Sequence, residues 1–166
     1  FGSVEKLNGK YETNKLYINT NGLFKDVTAE AGLESHAYGL SAIIEDFNGD
    51  NLPDIHVCND FKEHDVLYIN KGKNTFIEKH AASFHHHSHS AMGSDYADFN
   101  NDGLCDLVTL DMLPEDISRY KQLRNGANYD QVNFLTKYGY GTQFEKNTLQ
   151  KNMGNGYGYV LLRVLC

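Results

Sequence analysis

The chain has 166 residues, of which 40% are hydrophobic, and this length suits one ordinary domain with a sizeable core. Its net charge of −7 at pH 7, with no basic run, argues against a nucleic-acid partner. No segment approaches the roughly 20 apolar residues that a membrane-spanning helix needs. Residues 1–10 lack the basic start and apolar stretch of a signal peptide, so we interpret the chain as a processed or excised piece.

The first predicted elements are short β-strands. KLYIN (15–19) alternates apolar and polar residues with a period of two, and LFKDVT (23–28) follows the turn NTNG, which predicts a hairpin. LSAIIEDF (40–47) and DIHVCN (54–59) are predicted as two further strands that flank an acidic loop. The same order returns downstream in VLYIN (66–70), TFIEKH (75–80), GSDYADF (93–99) and DLVTLD (106–111).

This return predicts an internal repeat. The first blade-like unit covers residues 14–60 and the second covers residues 65–112, each with LYIN near its start and an acidic loop near its end. A unit of about fifty residues is typical of one four-stranded propeller blade. The predicted fold is therefore mainly β, with two propeller blades, part of a third blade and a helical insertion.

The predicted insertion occupies residues 113–146. Pro114 at a first helical position, followed by Glu115, predicts a helix start at this point. A third repeat is predicted to start in residues 147–166, where Asn152 matches the last residue of the LYIN segments.

Two acidic loops, DFNGDNLPD (46–54) and DFNNDGLCD (98–106), occupy the same place in the two units. Ca²⁺ takes about six to eight oxygen ligands, which a short loop can supply from side chains at positions 1, 3, 5 and 9 and from a carbonyl at position 7. A dication would remove the repulsion among the crowded carboxylates. The predicted ligands are Asp46, Asn48, Asp50, Leu52 and Asp54 in the first loop, and Asp98, Asn100, Asp102, Leu104 and Asp106 in the second.

The oxygen donors favour Ca²⁺ over Zn²⁺ or copper, and Mg²⁺ fits less well because it prefers strict octahedral geometry. The turn also requires a residue at position 6 that tolerates a positive φ, which Asn51 and Gly103 provide. An Asp/Asn-rich turn without a metal is the alternative. An EF-hand is unlike this pattern, since its Glu at position 12 would fall on Val57 or Thr109 in predicted strands.

Histidines and cysteines offer a different metal chemistry. The tract HAASFHHHSHS (80–90) is of a type that can bind Zn²⁺, Ni²⁺ or Cu²⁺, but a solvated His-rich loop is the favoured interpretation, because no Cys or acidic partner lies at ligand spacing. Its histidines are His80, His85, His86, His87 and His89. Cys58, Cys105 and Cys166 form no CxxC pair and are expected to be buried free thiols.

Catalytic motifs are missing from the sequence, including GxSxG, HExxH and GxxxxGK[ST]. We therefore predict that the chain is not an enzyme. The alternative is a propeller-fold hydrolase or lyase with acids drawn from Asp95, Asp111 and Glu115, or a His-metal enzyme. The spacing of these acids does not separate a catalytic pair from ordinary surface charge.

The acidic segments carry a resemblance to a known family. DFNGDNLPDIHV and DFNNDGLCDLVTLD, with their preceding LYIN…F segments, resemble FG-GAP/VCBS repeats, which are the blades of integrin-α-type β-propellers. NKLYINTNGLFKDVTAEAGL (14–33) is similar to the repeat opening of bacterial proteins with an ASPIC/UnbV domain, related to cartilage acidic protein. The first loop departs from the family pattern, which usually has Gly where Asn51 stands.

This resemblance implies a seven-bladed propeller whose loops hold structural Ca²⁺ through the ten residues named above, with the remaining blades outside this chain. It also implies a secreted, periplasmic or cell-surface module that serves adhesion by binding a protein or carbohydrate ligand. Since repeats bury their faces only against neighbours, the chain alone is expected to be marginally stable.

Overall fold

The computed structural model describes most of the two predicted units and the segment that follows the insertion. The described residues are 14–35, 37–60, 63–79, 83–84, 86–112, 116, 118, 133, 137, 143–154 and 159–165. The strands are β1 (Tyr17–Thr20), β2 (Leu23–Asp26), β3 (Tyr38–Glu45), β4 (Asp54–Asp60), β5 (Val66–Asn70), β6 (Phe76–Glu78), β7 (His87–Ser88), β8 (Ala91–Ala97), β9 (Asp106–Asp111), β10 (Gln143–Phe144), β11 (Asn147–Asn152) and β12 (Tyr159–Leu165), and the helix is α1 (Thr28–Ala31).

The fold is mainly β, as predicted, and two four-stranded sheets form most of it. The strand order is β3-β4-β5-β6 in the first sheet and β8-β9-β11-β12 in the second. Every pair of neighbours in both sheets is antiparallel. Four antiparallel strands in chain order make the unit from which propellers are built, so the two sheets are propeller-type blades.

The blades are offset by one hairpin from the units predicted from the repeat. Strands β5 and β6 belong to the predicted unit 65–112, but they complete the sheet of β3 and β4 from the unit 14–60. In the same way β11 and β12, predicted as the start of a third repeat, complete the second sheet. A sequence repeat indicates the period of a structure but not the strand at which a blade begins, because shifting the start leaves the period unchanged.

The part-blade therefore precedes the two complete sheets in the chain. It is the hairpin β1–β2, whose strands pair antiparallel from Tyr17↔Asp26 to Thr20↔Leu23. Its two-residue turn has φ of 54° at Asn21 and 87° at Gly22. Positive φ at both positions is the signature of the type I′ turn that matches the twist of a β-hairpin, and it confirms the hairpin predicted there.

The central strands of the first sheet, β4 and β5, are buried on both faces, whereas the edge strands β3 and β6 are largely exposed. One face joins the second sheet through the apolar cluster Ile43, Phe47, Leu67, Ile69, Phe84 and Leu107. The other face joins α1 through the cluster Ala31, Leu33, Val57, Val66 and Tyr68, against which Leu16 also packs. Because side chains alternate along a strand, the even-numbered residues of β4 face the second sheet and the odd-numbered residues face α1.

The predicted insertion, residues 113–146, lies mostly outside the described residues. Ser118, Asn133 and Lys137 are helical and exposed. Near its end, β10 pairs in parallel with β7, which makes a separate two-stranded sheet. Among the described residues, no helix has the length and apolar character required to cross a membrane.

Candidate metal centre

The two acidic loops close equivalent hairpins. The first joins β3 to β4 and begins directly after the pair Glu45↔Asp54. The second joins β8 to β9 and begins directly after the pair Ala97↔Asp106. Position 9 of each loop is thus the first residue of the returning strand, and the predicted ligands lie at one equivalent place in the two blades.

The first loop folds around the carboxylate of Asp46. Its Oδ1 accepts hydrogen bonds from the backbone N–H groups of Gly49 (2.7 Å) and Asp50 (3.0 Å), and its Oδ2 accepts one from Asn51 (2.7 Å). The Asn48 side chain accepts from Asp50 N–H at 2.8 Å, and Asp50 Oδ1 accepts from Leu52 N–H at 2.9 Å. The residues predicted at positions 1, 3 and 5 therefore turn their oxygens toward the loop backbone.

The second loop repeats this network. Asp98 accepts from the backbone N–H groups of Asp102 (3.0 Å) and Gly103 (2.8 Å). Asn100 Oδ1 accepts from Asp102 N–H at 2.9 Å, and Asp102 Oδ1 accepts from Leu104 N–H at 3.1 Å. The match between the two loops extends from the residue types to their individual hydrogen bonds.

Left-handed backbone occurs at positions 4 and 6 of both loops. In the first loop φ is 77° at Gly49 and 64° at Asn51, and in the second it is 61° at Asn101 and 83° at Gly103. The prediction for position 6 is confirmed, and position 4 was missed. Gly and Asn exchange places between the loops, and these are the residue types that tolerate this conformation best.

Position 9 is buried in both loops, since Asp54 and Asp106 each have 0% exposure. The Asp54 carboxylate accepts hydrogen bonds from Phe47 N–H (3.1 Å) and from Asn70 N–H (2.8 Å). Desolvation raises the pKa of Asp54, although these backbone hydrogen bonds act in the opposite direction. Asp106 accepts from Asn152 N–H at 2.9 Å.

Asn70 and Asn152 also belong to this region, although neither was predicted as a site residue. Each ends a strand next to an acidic loop, and each side chain accepts a hydrogen bond from the Gly two residues later, at 2.8 and 3.0 Å. The available signal was the recurrence of Asn at the end of the LYIN-like segments. These residues connect the acidic loop of a blade to the third strand of the same blade.

The side chains of the two loops suit a hard cation, because they offer carboxylate and amide oxygens. Asp106 Oδ2 is buried and has no hydrogen-bond partner among the described residues. A buried carboxylate oxygen without a donor is costly. A bound cation would supply the missing partner, and Asp98, Asn100 and Asp102 are the neighbouring oxygen donors.

A lysine also contacts the second loop. Lys151 Nζ lies 2.8 Å from Asp102 Oδ2, and this hydrogen bond lowers the pKa of Asp102 and raises that of Lys151. The corresponding residue of the first blade, one position before Asn70, is Ile69, which is buried in the core. A cationic side chain of β11 therefore contacts the second loop, and the equivalent position of the first blade holds an apolar residue.

The two loops lie close to one another. Phe47, at position 2 of the first loop, packs against Tyr96 of β8 with ring centroids 6.5 Å apart. Asn152 Nδ2 donates to the carbonyl of Phe47 at 3.0 Å. Cys105 is half-buried, and after desolvation the negative charges of Glu45 and Asp46 are the next causes that raise its pKa. The second blade thus covers and fixes part of the first loop.

The histidine tract is not a solvated loop where it is described. His87 lies on β7 and is 2% exposed, and desolvation lowers its pKa to about 3. His86 and His89 are half-buried, while His80 and His85 lie outside the described residues. The prediction was wrong for His87, because the pairing of β7 with β10 brings this segment into the interior.

Asp111 is also not ordinary surface charge. Its Oδ2 accepts hydrogen bonds from Ser88 Oγ (2.6 Å), His89 N–H (2.9 Å) and Ser90 N–H (3.2 Å), and the residue is 9% exposed. This carboxylate fixes the turn between β7 and β8. Asp95 is exposed on β8, and Glu115 lies outside the described residues, so the structure brings no described pair of these acids together.

A buried cluster between the blades was not predicted from the sequence. His56, Cys58 and Asp65 each offer one potential ligand atom, and these three atoms lie within 4.8 Å of one another. The three residues are 1%, 0% and 3% exposed. Desolvation lowers the pKa of His56 to about 4, raises that of Asp65 to about 7 and raises that of the Cys58 thiol. Only their alternation on a predicted strand could have indicated that His56 and Cys58 share a face.

Comparison with known families supports the repeat assignment. Residues 46–109 match the model of the FG-GAP-like repeat, a span that runs from the first acidic loop to the strand after the second. A search of curated proteins found no match to the chain. The matched span contains all ten predicted ligands, together with three strands of the first blade (β4, β5 and β6) and the first two strands of the second (β8 and most of β9). The propeller-type architecture therefore has support from the sequence family and from the strand order.

Proposed function

We propose that the chain is a calcium-binding FG-GAP-type propeller module in which Ca²⁺ acts structurally, and that it binds a protein or glycan partner without catalysis. The main support is the pair of acidic loops with matching hydrogen bonds, each ending in a fully buried aspartate. Two loops with one geometry at one place in successive blades are expected if both hold the same ion.

The role of the cation follows from what the loops connect. Each loop joins two neighbouring strands of a blade, and its position 9 aspartate also accepts a hydrogen bond from the strand on the other side. A cation bound there would fix three strands of the blade relative to one another. Asp106 Oδ2, buried without a partner in the described part of the chain, gives the second loop the clearest need for it.

The setting of the module belongs to the same proposal. Extracellular calcium modules bind at about 10⁻⁴ to 10⁻³ M, so a secreted, periplasmic or cell-surface location would provide enough Ca²⁺. The similarity of residues 14–33 to ASPIC/UnbV-associated repeats supports such a location and an adhesive role. The commitment of Asp111 to the β7–β8 turn removes one acid from the alternative hydrolase interpretation.

Thermal unfolding with Ca²⁺ and then with a chelator tests the proposal. At a free Ca²⁺ of about ten times Kd, each site adds about 1.4 kcal/mol. Two independent sites would raise the melting temperature by roughly 6–10 °C in a domain of this size. We expect the Asp50→Ala, Asp102→Ala double variant to lose most of this increase.

The matched control is Asp95→Asn, which removes an exposed carboxylate of β8 outside both loops and should keep the full response. An equal melting temperature of the wild type with and without Ca²⁺ would contradict the proposal. Calcium-dependent retention on panels of glycans and extracellular proteins would then identify the partner class, with the double variant as the negative control.

A further inference from the structure

The cluster of His56, Cys58 and Asp65 lies apart from the acidic loops and contains different donor atoms. His56 and Cys58 are two residues apart on β4, so both point to the face that meets the second sheet. Asp65 directly precedes β5, the neighbouring strand. The imidazole nitrogen, the thiol sulfur and a carboxylate oxygen lie within 4.8 Å of one another in the interior.

Two polar atoms at this cluster lack partners. His56 Nδ1 and Asn59 Oδ1 are buried without a hydrogen bond in the part of the chain that the structure describes. Each such group costs roughly 1–3 kcal/mol. Buried polar groups in native proteins normally have a protein, water or ion partner, and an ion held at this cluster would supply one to the His56 imidazole.

The carboxylate of Asp65 is already oriented. Its Oδ1 accepts a hydrogen bond from Asn59 N–H at 3.0 Å. The Cys58 thiol faces the hydroxyl groups of Ser94 and Thr109, which lower its pKa against the effect of desolvation. Hydroxyl donors of this kind would stabilise a thiolate.

We propose that His56, Cys58 and Asp65 bind a transition-metal ion of the Zn²⁺ class through one nitrogen, one sulfur and one oxygen ligand. Zn²⁺ accepts these three donor types at about 2.0–2.3 Å, and three ligands around a tetrahedral ion are about 3.5 Å apart. The present separations of up to 4.8 Å would therefore have to shorten by at most about 1.3 Å to form the site. A water molecule would be the fourth ligand of the ion.

The thiolate separates this site from the acidic loops, because sulfur is a poor ligand for Ca²⁺ and a good one for Zn²⁺. Binding would release the thiol proton of Cys58, and any proton on Asp65, to solvent. The bound ion would join β4 to the start of β5 and lie against β8 and β9 of the second blade. It would thus lock the two blades together, whether or not the acidic loops hold Ca²⁺.

Titration with Co²⁺, a spectroscopic substitute for Zn²⁺, tests the proposal. The untagged chain carries Cys105→Ser and Cys166→Ser, so that Cys58 is its sole thiol, and saturating Ca²⁺ is present throughout. We expect about one equivalent of Co²⁺ to produce a thiolate-to-cobalt charge-transfer band, and Zn²⁺ to abolish it. His56→Gln and Asp65→Asn should weaken binding by more than about 100-fold.

The thiolate band distinguishes this site from the histidine tract, whose members supply no sulfur. His89→Gln is the matched control and should leave both the band and the affinity unchanged. The absence of the band in the Cys58-only chain would overturn the proposal, as would a band that persists after Cys58→Ser.

A second measurement keeps Cys58 in place and needs no change at the ligands. In the Cys58-only chain, Zn²⁺ should slow alkylation of the thiol under native conditions at least about tenfold, because reaction requires release of the ion. Equal alkylation rates with Zn²⁺ and with a zinc-selective chelator would contradict the site.

Discussion

The two acidic loops share one hydrogen-bond pattern but differ in how the surrounding structure completes them. Phe47 of the first loop is 3% exposed beneath the second blade, whereas Phe99, at the same position of the second loop, is 50% exposed. Both oxygens of Asp54 accept backbone hydrogen bonds, whereas Oδ2 of Asp106 has no partner among the described residues. Asn152 of the second blade also binds the Phe47 carbonyl.

This difference shows that an acidic loop in such a fold has two parts. The turn itself is local, since residues 46–54 and 98–106 form it with their own side chains. The cover over the turn comes from the next blade, which supplies Tyr96 and Asn152 to the first loop. Stability at the loop is therefore shared between blades, and the two loops should respond unequally to equivalent substitutions.

Replacing the position 2 aromatics should give the largest inequality. Phe47→Ala removes a buried ring from the cluster between the blades and should destabilise the chain by about 3–4 kcal/mol. Phe99→Ala removes a half-exposed ring and should cost less than about 1 kcal/mol. Chemical denaturation of both variants measures the difference, and equal losses would show that the second blade does not support the first loop.

The second-largest difference in stability is expected between variants of the two position 9 aspartates. In the presence of a chelator, Asp54→Asn leaves one of two buried N–H donors facing an amide NH₂ group, and should cost about 2–3 kcal/mol. Asp106→Asn can keep its oxygen toward Asn152 N–H, so the cost should be about 1 kcal/mol. Denaturation in EGTA checks this order, and a greater loss for Asp106→Asn would contradict it.

At position 5, the two loops are expected to differ in how much a substitution reduces the stabilisation by Ca²⁺. Asp50→Ala and Asp102→Ala each remove one carboxylate, and each can remove up to about 1.4 kcal/mol of stabilisation at ten times Kd. We expect a smaller loss for Asp102→Ala, because Lys151 already binds this carboxylate and competes with the cation. Melting temperatures at several Ca²⁺ concentrations give the two contributions, with Asp95→Asn as the unaffected control.

The smallest expected effect is at Lys151 itself. Lys151→Met keeps the length of the side chain and removes the charge beside Asp102, so the affinity of the second loop for Ca²⁺ should rise by a factor of roughly two to five. Calorimetric titration with Ca²⁺ of a chain in which one loop is inactivated measures the affinity of the remaining loop. Lys25→Met removes a charge that pairs with Glu30 outside the loops, and it should leave the affinity unchanged.

The sequence predicted local features well because their causes are local. The period-two segments became strands, and the Asn21–Gly22 turn closed the first hairpin. The residue types at positions 1, 3 and 5 were enough to locate both loops, since their hydrogen bonds span at most five residues.

What the sequence could not provide depends on pairing between distant segments. The grouping of β5 with β3 and β4 follows from sheet formation and not from the repeat. The burial of His87 requires β10, and the proximity of Asp65 to His56 and Cys58 requires the β4–β5 pairing. A His-x-Cys pair in a strand looks like ordinary alternation until the neighbouring strand brings a third ligand to it.

The offset between repeat and blade has a consequence for how such a protein can lengthen during evolution. A duplicated unit of about fifty residues does not form a complete sheet by itself. Its first hairpin completes the sheet of the preceding unit, and its last two strands need the first hairpin of the following unit. Every inserted copy is therefore interlocked with both neighbours from the outset. Each duplication would therefore leave the number of incomplete sheets unchanged, wherever in the repeat the duplicated segment begins.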